Sequence, residues 1–198
     1  MRTTENEPKQ RLLAGTVEYL AANGLGDISL RRLATALGTS HRMLIYHFGS
    51  KEGLLIEVVR AVEQRQREVF SELQLDPDAS PEEIAWNFWQ RLADPAMWPA
   101  ERLFFELYGR ALQGDPSAVP LLDGIVEHWL APATAWGRRQ GIPAETARAN
   151  ARLGVAVTRG LLLDLLATGD RAGVDHAMTR FLAIYQAAAQ RTADPGHS

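Results

Sequence analysis

Apolar residues recur along most of this chain at intervals of three and four positions, the spacing that places them on one face of an α-helix. One short example comprises Leu30, Leu33, Ala34 and Leu37. The apolar stretches are separated by segments that contain glycine and proline, and none shows the convincing alternation of apolar and polar residues that a strand would have. The pattern predicts an all-α fold with about nine helices.

Residues 29–51 contain two short helical patterns in immediate succession. Ser29 stands in the N-cap position of the first pattern, and Gly38 follows its last apolar residue, where glycine can take the left-handed conformation that ends a helix. Ser40 is the N-cap candidate of the second pattern, which covers residues 41–48. Two short helices joined by a tight glycine turn cross at a steep angle, and in this helix-turn-helix geometry the second helix enters the DNA major groove.

This segment resembles the N-terminal DNA-binding domain of the TetR family of transcriptional repressors. In one departure, Ile45 stands where the family usually has tyrosine, two residues before the histidine. The resemblance implies a DNA-binding regulator whose later helices form an effector cavity and a dimer interface. It extends from about Gln10 to Leu55, and the matching residues are Leu33, Ala34, Gly38, Ser40, Leu44, His47, Phe48 and the sequence Ser50-Lys51-Glu52.

The second short helix divides into an inner and an outer side. Leu44 and Phe48 are four residues apart and should face the core, which leaves Met43, Ile45 and Tyr46 on the other faces. Exposed isoleucine and methionine are unusual on a solvated surface, but they suit contacts with thymine methyl groups or sugar edges. The alternative is a helical hairpin with a structural role only.

Basic and polar residues complete the predicted DNA contacts. Arg42 can fork onto a guanine, and Lys51 begins the next helix, where its ammonium group and the helix N-terminus both favour phosphate. By the resemblance, Arg31 matches a position that reaches base or phosphate, and His47 fits packing or a phosphate contact better than base reading. The predicted DNA-binding residues are Arg31, Ser40, His41, Arg42, Met43, Ile45, Tyr46, His47 and Lys51.

Helices are also expected on both sides of the motif. The helix predicted over residues 51–73 is polar nearly all round in its second half, as suits a helix that links two domains. The sequence Ser80-Pro81-Glu82-Glu83 is a capping box with proline at the first helical position, which is a specific helix start. The other expected helices cover residues 9–23, 81–93, 100–113, 119–140 with a bend at Pro132, 141–168 and 172–191.

All five tryptophans lie between residues 86 and 136, together with several other aromatic residues. An aromatic core explains such clustering, and so does a ligand cavity, because small-molecule sites are apolar and aromatic with a few polar groups. The two explanations are compatible, and a mostly aromatic wall favours a planar or lipophilic effector. The predicted ligand-binding residues are Trp86, Trp89, Phe104, Tyr108 and Trp129, with Asn87, Glu106, His128 and Arg159 as candidate polar groups.

The last two predicted helices carry apolar residues on more than one face, and a helix of this kind must bury the extra face somewhere. The sequence Arg159-Gly160-Leu161-Leu162-Leu163 also resembles the family's dimer helix. We therefore predict a two-fold homodimer through a four-helix bundle, with a monomer that buries these faces internally as the alternative. The predicted interface residues are Leu161, Leu165, Phe181, Tyr185 and Ala188.

The 198-residue chain has an ordinary globular composition, with 46% hydrophobic and 23% charged residues, and the lack of cysteine excludes disulfides and thiol chemistry. No apolar run reaches the ~18 residues of a membrane span, and the first residues lack a signal-peptide stretch. We expect a cytoplasmic protein with no membrane partner.

Charge is distributed unevenly along the chain. Residues 1–67 contain 10 Lys+Arg and 7 Asp+Glu, a balance of +3, whereas residues 68–198 contain 11 and 17, a balance of −6. A basic N-terminal part on an acidic body suits a protein that touches DNA at one end. The predicted organisation is a helix-turn-helix domain over 1–50, a linker helix over 51–73, and a ligand-binding and dimerisation domain over 74–198.

No catalytic or metal motif stands out. The histidines are too scattered for a metal cluster, the HExxH, P-loop and GxSxG patterns are absent, and Glu101, Glu106 and Glu127 are interpreted as solvated helix charges. We predict no enzyme and no cofactor, but a ligand-responsive repressor that binds a palindromic operator as a homodimer. The alternatives are a helical small-molecule-binding protein or enzyme that retains a non-specific N-terminal DNA-binding module, and a constitutive DNA-binding protein whose aromatic cluster is solid core.

Overall fold

A computed structural model describes residues 6–23, 29–76 and 78–193. Within these residues the chain forms nine α-helices and two 3-10 turns, Pro95–Met97 and Val119–Leu122, and no strand, as the all-α prediction requires. None of the helices is both long enough and apolar enough to cross a membrane. The helices are α1 (Asn6–Asn23), α2 (Leu30–Ala36), α3 (His41–Phe48), α4 (Lys51–Leu73), α5 (Pro81–Leu92), α6 (Trp98–Leu112), α7 (Glu127–Arg139), α8 (Ala144–Thr168) and α9 (Arg171–Ala193).

The predicted helix caps are confirmed. The hydroxyl of Ser29 accepts a hydrogen bond from the backbone N–H of Arg32 at 3.2 Å, and the hydroxyl of Ser40 accepts one from Met43 at 3.2 Å. Between them, Gly38 has a φ of 62°, the left-handed conformation that glycine adopts without strain. These local interactions satisfy N–H groups that the first turn of each helix leaves without an intrahelical partner, and so they set the start of α2 and α3.

The capping box that begins α5 is also present. The hydroxyl of Ser80 accepts from the backbone N–H of Glu83 at 3.2 Å, and the Glu83 carboxylate accepts from the backbone N–H of Ser80 at 2.8 Å. The backbone hydrogen bond from Ser80 is the main cause of a lowered pKa for Glu83.

The helix predicted over residues 119–140 is wrong in its first part. Pro120 opens a 3-10 turn instead, and Asp123 after it is extended, with a ψ of 112°. Gly124 then adopts a φ of 69°, which ends any continuous helix, and α7 begins only at Glu127. Pro132, where a bend was expected, lies inside α7.

The packing of the backbone divides the chain into two compact units. Unit 1 comprises residues 1–66 and 95–125, and unit 2 comprises residues 67–94 and 126–198. Unit 1 therefore contains α1 to α3, α6 and the first part of α4, whereas unit 2 contains the rest of α4 with α5 and α7 to α9. The functional division into three segments stays a prediction.

Unit 1 fixes α3 against its neighbours. Leu33 and Leu44 are almost completely buried, and Phe48 is buried at the other end of α3. The Lys9 ammonium group on α1 lies 5.5 Å from the centre of the Phe48 ring and 3.5 Å from a carboxylate oxygen of Glu57 on α4. The cation–π contact and the ion pair join three helices around the base of α3.

Gly53, in the first turn of α4, leaves room for the last carbonyl group of α3. A Cβ atom at this position would lie 2.2 Å from the Phe48 carbonyl oxygen, which is backbone and cannot rotate away. The absence of a side chain is therefore what lets α4 start so close to the end of α3.

Unit 2 is held by contacts of α7 with α8, and of α9 with both α8 and α5. Gly137 on α7 faces Ala147 on α8 so closely that a Cβ atom on the glycine would lie 3.2 Å from the alanine Cβ. Leu130, Leu165 and Val174 are fully buried on α7, α8 and α9. Small residues at the α7–α8 contact and large ones around it give this unit a closely packed interior.

Candidate nucleic-acid interface and effector site

The two sides of α3 differ as the sequence predicted. Leu44 and Phe48 are buried on the inner side. Met43, Ile45 and Tyr46 are exposed, with 40%, 36% and 71% of their surfaces accessible to solvent. Because α3 is capped by Ser40 and fixed through its inner side, these side chains form a preset outer surface.

The charged residues of the motif that contains α3 are all basic. From residue 29 to residue 51 the chain contains Arg31, Arg32, Arg42 and Lys51 and no aspartate or glutamate. The three arginines are exposed, and Lys51 is half-buried at the first residue of α4. Four positive charges within one motif favour a polyanionic partner such as DNA. Arg32 was missed at the sequence level, although the lack of acidic residues in this run was visible there.

The side chains of His47 and Ser40 also make contacts within the protein. The His47 ring is half-buried and lies edge-on between Tyr46 and Phe48, with ring centroids 5.0 and 6.3 Å away. The hydroxyl of Ser40 accepts the capping hydrogen bond from Met43, so its own O–H proton is the group that it can offer to a phosphate. His41 is exposed at the first residue of α3.

Four aromatic rings pack together in unit 2, from α4, α5 and α7. Phe70 lies 5.0 Å from Phe88 and 5.7 Å from Trp136 between ring centroids, and Phe88 lies 5.7 Å from Trp129. The Arg67 guanidinium carbon lies 5.6 Å from the centre of the Trp129 ring, within cation–π distance. Only Trp129 of these was among the predicted ligand-binding residues; Trp136 was part of the aromatic clustering noted in the sequence, and the contribution of Phe70 was missed.

Trp89 is buried to 1% exposure and takes part in a polar network. Its indole N–H donates to a carboxylate oxygen of Asp175 at 2.6 Å, and the Gln90 amide donates to the same oxygen at 3.3 Å. Arg171 donates to the other Asp175 oxygen at 2.9 Å and to the carbonyl oxygen of Ala93 at 2.9 Å. Partial burial acts to raise the pKa of Asp175, but the hydrogen bonds from Trp89, Arg171 and Gln90 outweigh it and lower the pKa.

The other predicted ligand-binding residues are divided between the units. Phe104 and Tyr108 belong to unit 1, where their rings stack 5.3 Å apart at 17°. In unit 2, Trp86 is half-buried on α5, His128 is exposed on α7 and Arg159 is half-buried on α8. Their role in binding a ligand stays a prediction.

A buried carboxylate in unit 1 was not expected from the sequence. Glu101 on α6, which had been interpreted as a solvated charge, is buried, and its carboxylate accepts a hydrogen bond of 2.7 Å from the Gln66 amide on α4. The interpretation of Glu101 was wrong because helix periodicity alone does not reveal a polar partner 35 residues away. Glu106 and Glu127 are exposed, as expected.

A solvent-open groove of about 280 Å³ lies in unit 2 where the end of α4 meets α5. Asn87, one of the polar groups predicted for the ligand site, lines it, whereas none of the predicted aromatic wall residues does. Within the described part of the chain, no three His, Asp or Glu side chains are grouped closely enough to hold a metal ion. The groove is lined by the apolar residues Val69, Leu73, Ala79 and Ile84 and by the polar residues Glu72, Asp76, Asn87 and Arg91.

The predicted dimer residues are more buried within one chain than expected. Leu165 is fully buried, and Leu161, Phe181 and Tyr185 are half-buried. Burial raises the pKa of Tyr185, and a hydrogen bond with Asn150 opposes that effect. The side chain of Ala188 lies outside the described residues.

Large apolar side chains other than the predicted interface residues are exposed on the same two helices. Leu153 and Leu163 are each about half exposed on α8, and Ile184 is exposed on α9. Ala156 and Gly160, also exposed, continue the spacing of Leu153 and Leu163 at intervals of three and four residues. This spacing gives α8 an apolar outer stripe with small residues in its middle.

Comparison with known proteins agrees with this geometry. Residues 12–58 match the family model of bacterial regulatory proteins, tetR family. That match covers α2 and α3 entirely and ends within α4. A search among curated proteins finds no match.

Solved structures of regulators share the fold over most of the chain. A transcriptional regulator from Rhodococcus sp. Rha1 superposes with a TM-score of 0.69 at 21% identity, covering 89% of this chain and 94% of its own. A TetR transcriptional regulator from Legionella pneumophila gives a TM-score of 0.62 at 20% identity, covering 87% and 96%. The multidrug binding protein EbrR, complexed with imidazole, gives 0.57 at 22%, covering 88% and 89%.

Proposed function

Because this chain belongs to the TetR family of bacterial transcriptional regulators, we propose that it is a repressor that binds a palindromic operator as a homodimer and releases it when a small hydrophobic or aromatic effector binds. The observation that carries this proposal is the outer surface of α3, which is exposed and lies in a 23-residue run, 29–51, with four basic residues and no acidic one.

The roles of the DNA-binding residues follow from their positions in the motif. Arg42 is exposed near the N-terminus of α3, the end of a recognition helix that contacts base edges, and its guanidinium group can donate two hydrogen bonds to a guanine. Arg31 on α2 and Lys51 at the start of α4 bind phosphates, and the N-terminus of α4 adds its own attraction for an anion. Polar contacts at the edge of the DNA interface come from Ser40, His41 and His47.

Homodimerisation is supported by the outer stripe of α8 and the exposed isoleucine on α9. Leu153, Leu163 and Ile184 would each lose apolar surface to a second copy, and Gly160 lets two helices approach closely. A two-fold interface uses the same patch on both copies and presents two α3 helices to the DNA. The operator is then an inverted repeat with half-sites about one helical turn apart.

The effector site is best supported by the aromatic cluster of unit 2. Trp129 contacts both Phe88 and the Arg67 guanidinium group, so a planar apolar molecule that displaced part of this packing would find aromatic faces and one cation. Trp86 is half-buried on the neighbouring helix, whereas Trp89 already donates its N–H to Asp175 and serves to position α5. The similarity in fold to a multidrug binding protein supports an effector of this class.

Release of DNA requires the effector to bind better to the state that does not bind operator. By linkage, operator-bound protein must then bind the effector more weakly by the same factor. The rival enzyme hypothesis is weaker, because regulators of the TetR family are generally not enzymes.

Selection from a random double-stranded DNA library tests the proposal. The full-length protein should enrich an inverted repeat, and addition of a hydrophobic aromatic effector should release the selected DNA. Binding without enrichment would instead support the non-specific module, and enrichment that no compound in a broad aromatic panel reverses would support a constitutive DNA-binding protein.

A further inference from the structure

The outer surface of α3 exposes large apolar side chains to solvent. Its first turn starts at His41, and with 3.6 residues per turn Tyr46 lies opposite the buried pair Leu44 and Phe48. Met43 and Ile45 lie on the two sides of Tyr46, each more than a third exposed. Two apolar side chains are therefore presented to solvent from a helix that is already fixed through its inner side.

The charges around this surface identify the class of partner. Arg31, Arg32, Arg42 and Lys51 lie in a run, residues 29–51, that contains no aspartate or glutamate, and this charge favours a polyanionic partner. A polyanion that meets Met43 and Ile45 must also offer apolar groups at the depth that a helix reaches. In the major groove of DNA, the apolar group that a base displays is the C5-methyl group of thymine.

We propose that Met43 and Ile45 read thymine through its C5-methyl group, so that each operator half-site carries a thymine for each of them next to the base pair that Arg42 contacts. The inference rests on the proposed function, because it requires α3 to enter the major groove. It adds the bases that the operator must contain and the two residues that recognise them.

The spacing along α3 limits where these thymines lie. Arg42 and Ile45 are three residues apart, so their side chains are neighbours on one helix face, separated by about 4.5 Å along the axis. Base pairs follow each other every ~3.4 Å along the duplex. The thymine read by Ile45 therefore lies about one or two base pairs from the base pair that Arg42 contacts. The thymine read by Met43 lies on the opposite side of Tyr46.

Replacement of thymine by deoxyuridine removes the methyl group and leaves the base pairing unchanged, so it tests this inference on the unaltered protein. Each thymine of the selected operator is replaced singly, in both half-sites, and the Kd is measured by fluorescence anisotropy at constant salt. Loss of one buried methyl group should raise the Kd about fourfold, equivalent to about 0.8 kcal/mol. Two thymines per half-site should show this loss, and the others should not.

Variants assign each methyl group to its residue. Ile45→Ala should bind the thymine and deoxyuridine forms equally at one of the two positions, and Met43→Ala should do so at the other. Leu112→Ala, which truncates an exposed leucine on α6, is the matched control and should keep both fourfold losses.

The outcomes separate this inference from the proposed function. If an operator is selected but deoxyuridine has no effect at any position, the proposed function stands and the inference is overturned. If no sequence is enriched, both are overturned. In another outcome, the protein binds vesicles of phosphatidylcholine and phosphatidylglycerol in a way that Ile45→Ala abolishes, without operator enrichment. That result would show that the apolar residues meet a membrane surface, and it would likewise overturn the inference.

Discussion

The indole nitrogen of Trp89 donates a hydrogen bond of 2.6 Å to a carboxylate oxygen of Asp175, and this bond joins α5 to the first turns of α9. Arg171 binds the second oxygen of the same carboxylate and also reaches Gln90, 2.5 Å away, and Ala93 on the α5 side. One carboxylate thus holds a buried tryptophan, an amide and a guanidinium group in fixed positions. The network connects a helix of the aromatic cluster to a helix of the proposed dimer interface.

Replacement of Asp175 should destabilise unit 2. Asp175→Ala leaves the buried indole N–H without its acceptor and removes one of the three acceptors of Arg171, which should cost about 1–3 kcal/mol of unfolding free energy. Thermal or urea unfolding followed by circular dichroism measures the loss. Asp164→Ala, at an exposed position on α8, is the control and should change stability by less than about 0.5 kcal/mol. Equal stability of Asp175→Ala and the wild type would contradict the role assigned to the network.

The same carboxylate should make stability depend on pH in the acid range. Folding lowers the pKa of Asp175 below its ordinary value of 3.8, so the folded state binds this proton more weakly than the unfolded state. The stabilisation that the ionised Asp175 gives the folded state is therefore fully present at pH values above 3.8, and it is lost as the pH falls through the pKa of the folded state. The difference in Tm between wild type and Asp175→Asn should therefore be larger at pH 6 than at pH 3. A difference that grows on acidification would rule out this assignment.

Effector binding should be visible through Trp129. A planar hydrophobic compound that releases the operator should change tryptophan emission, and Trp129→Phe should remove most of that change. The variant should also raise the effector concentration for half-release by about two- to tenfold, equivalent to about 0.5–1.5 kcal/mol of aromatic contact. Trp98→Phe, in unit 1, is the matched control. A normal response of Trp129→Phe would place the effector elsewhere.

A charge on the outer stripe of α8 should separate the two copies. Leu163 is 52% exposed within one chain, so Leu163→Arg leaves the fold of the protomer intact but places an unpaired guanidinium group in the proposed interface. Light scattering at micromolar concentration should give a dimer for wild type and a monomer for the variant. Leu112→Arg, which changes a leucine on α6 that is 64% exposed, should remain dimeric. A wild-type monomer would refute the proposed assembly.

Elements with local start and stop signals could be predicted from the sequence. The bounds of α3 follow from the Ser40 cap and from Gly49 after its last residue, both within hydrogen-bond reach of the helix they delimit. The predicted helix over 119–140 failed because Gly124 was overlooked as a helix breaker, although its signal is equally local.

Contacts between distant residues could not be predicted in this way. Trp89 and Asp175 are 86 positions apart, and nothing in the period of either helix reveals that the indole has an acceptor. Phe70 joins the aromatic cluster from a helix that the sequence identifies as a linker. In the same way, Leu161 and Leu165 share the apolar character of Leu163, and only packing decides which of them faces inward.

The central claim is that the outer surface of α3 recognises a specific operator, and the most direct test is the affinity of Arg42→Ala for the selected sequence. The variant should bind the operator about 1–3 kcal/mol more weakly than wild type and discriminate less at one base pair of each half-site. Arg138→Ala, which removes an exposed arginine from α7 in unit 2, should bind like wild type. Operator affinity and base discrimination in Arg42→Ala equal to those of Arg138→Ala would contradict the account.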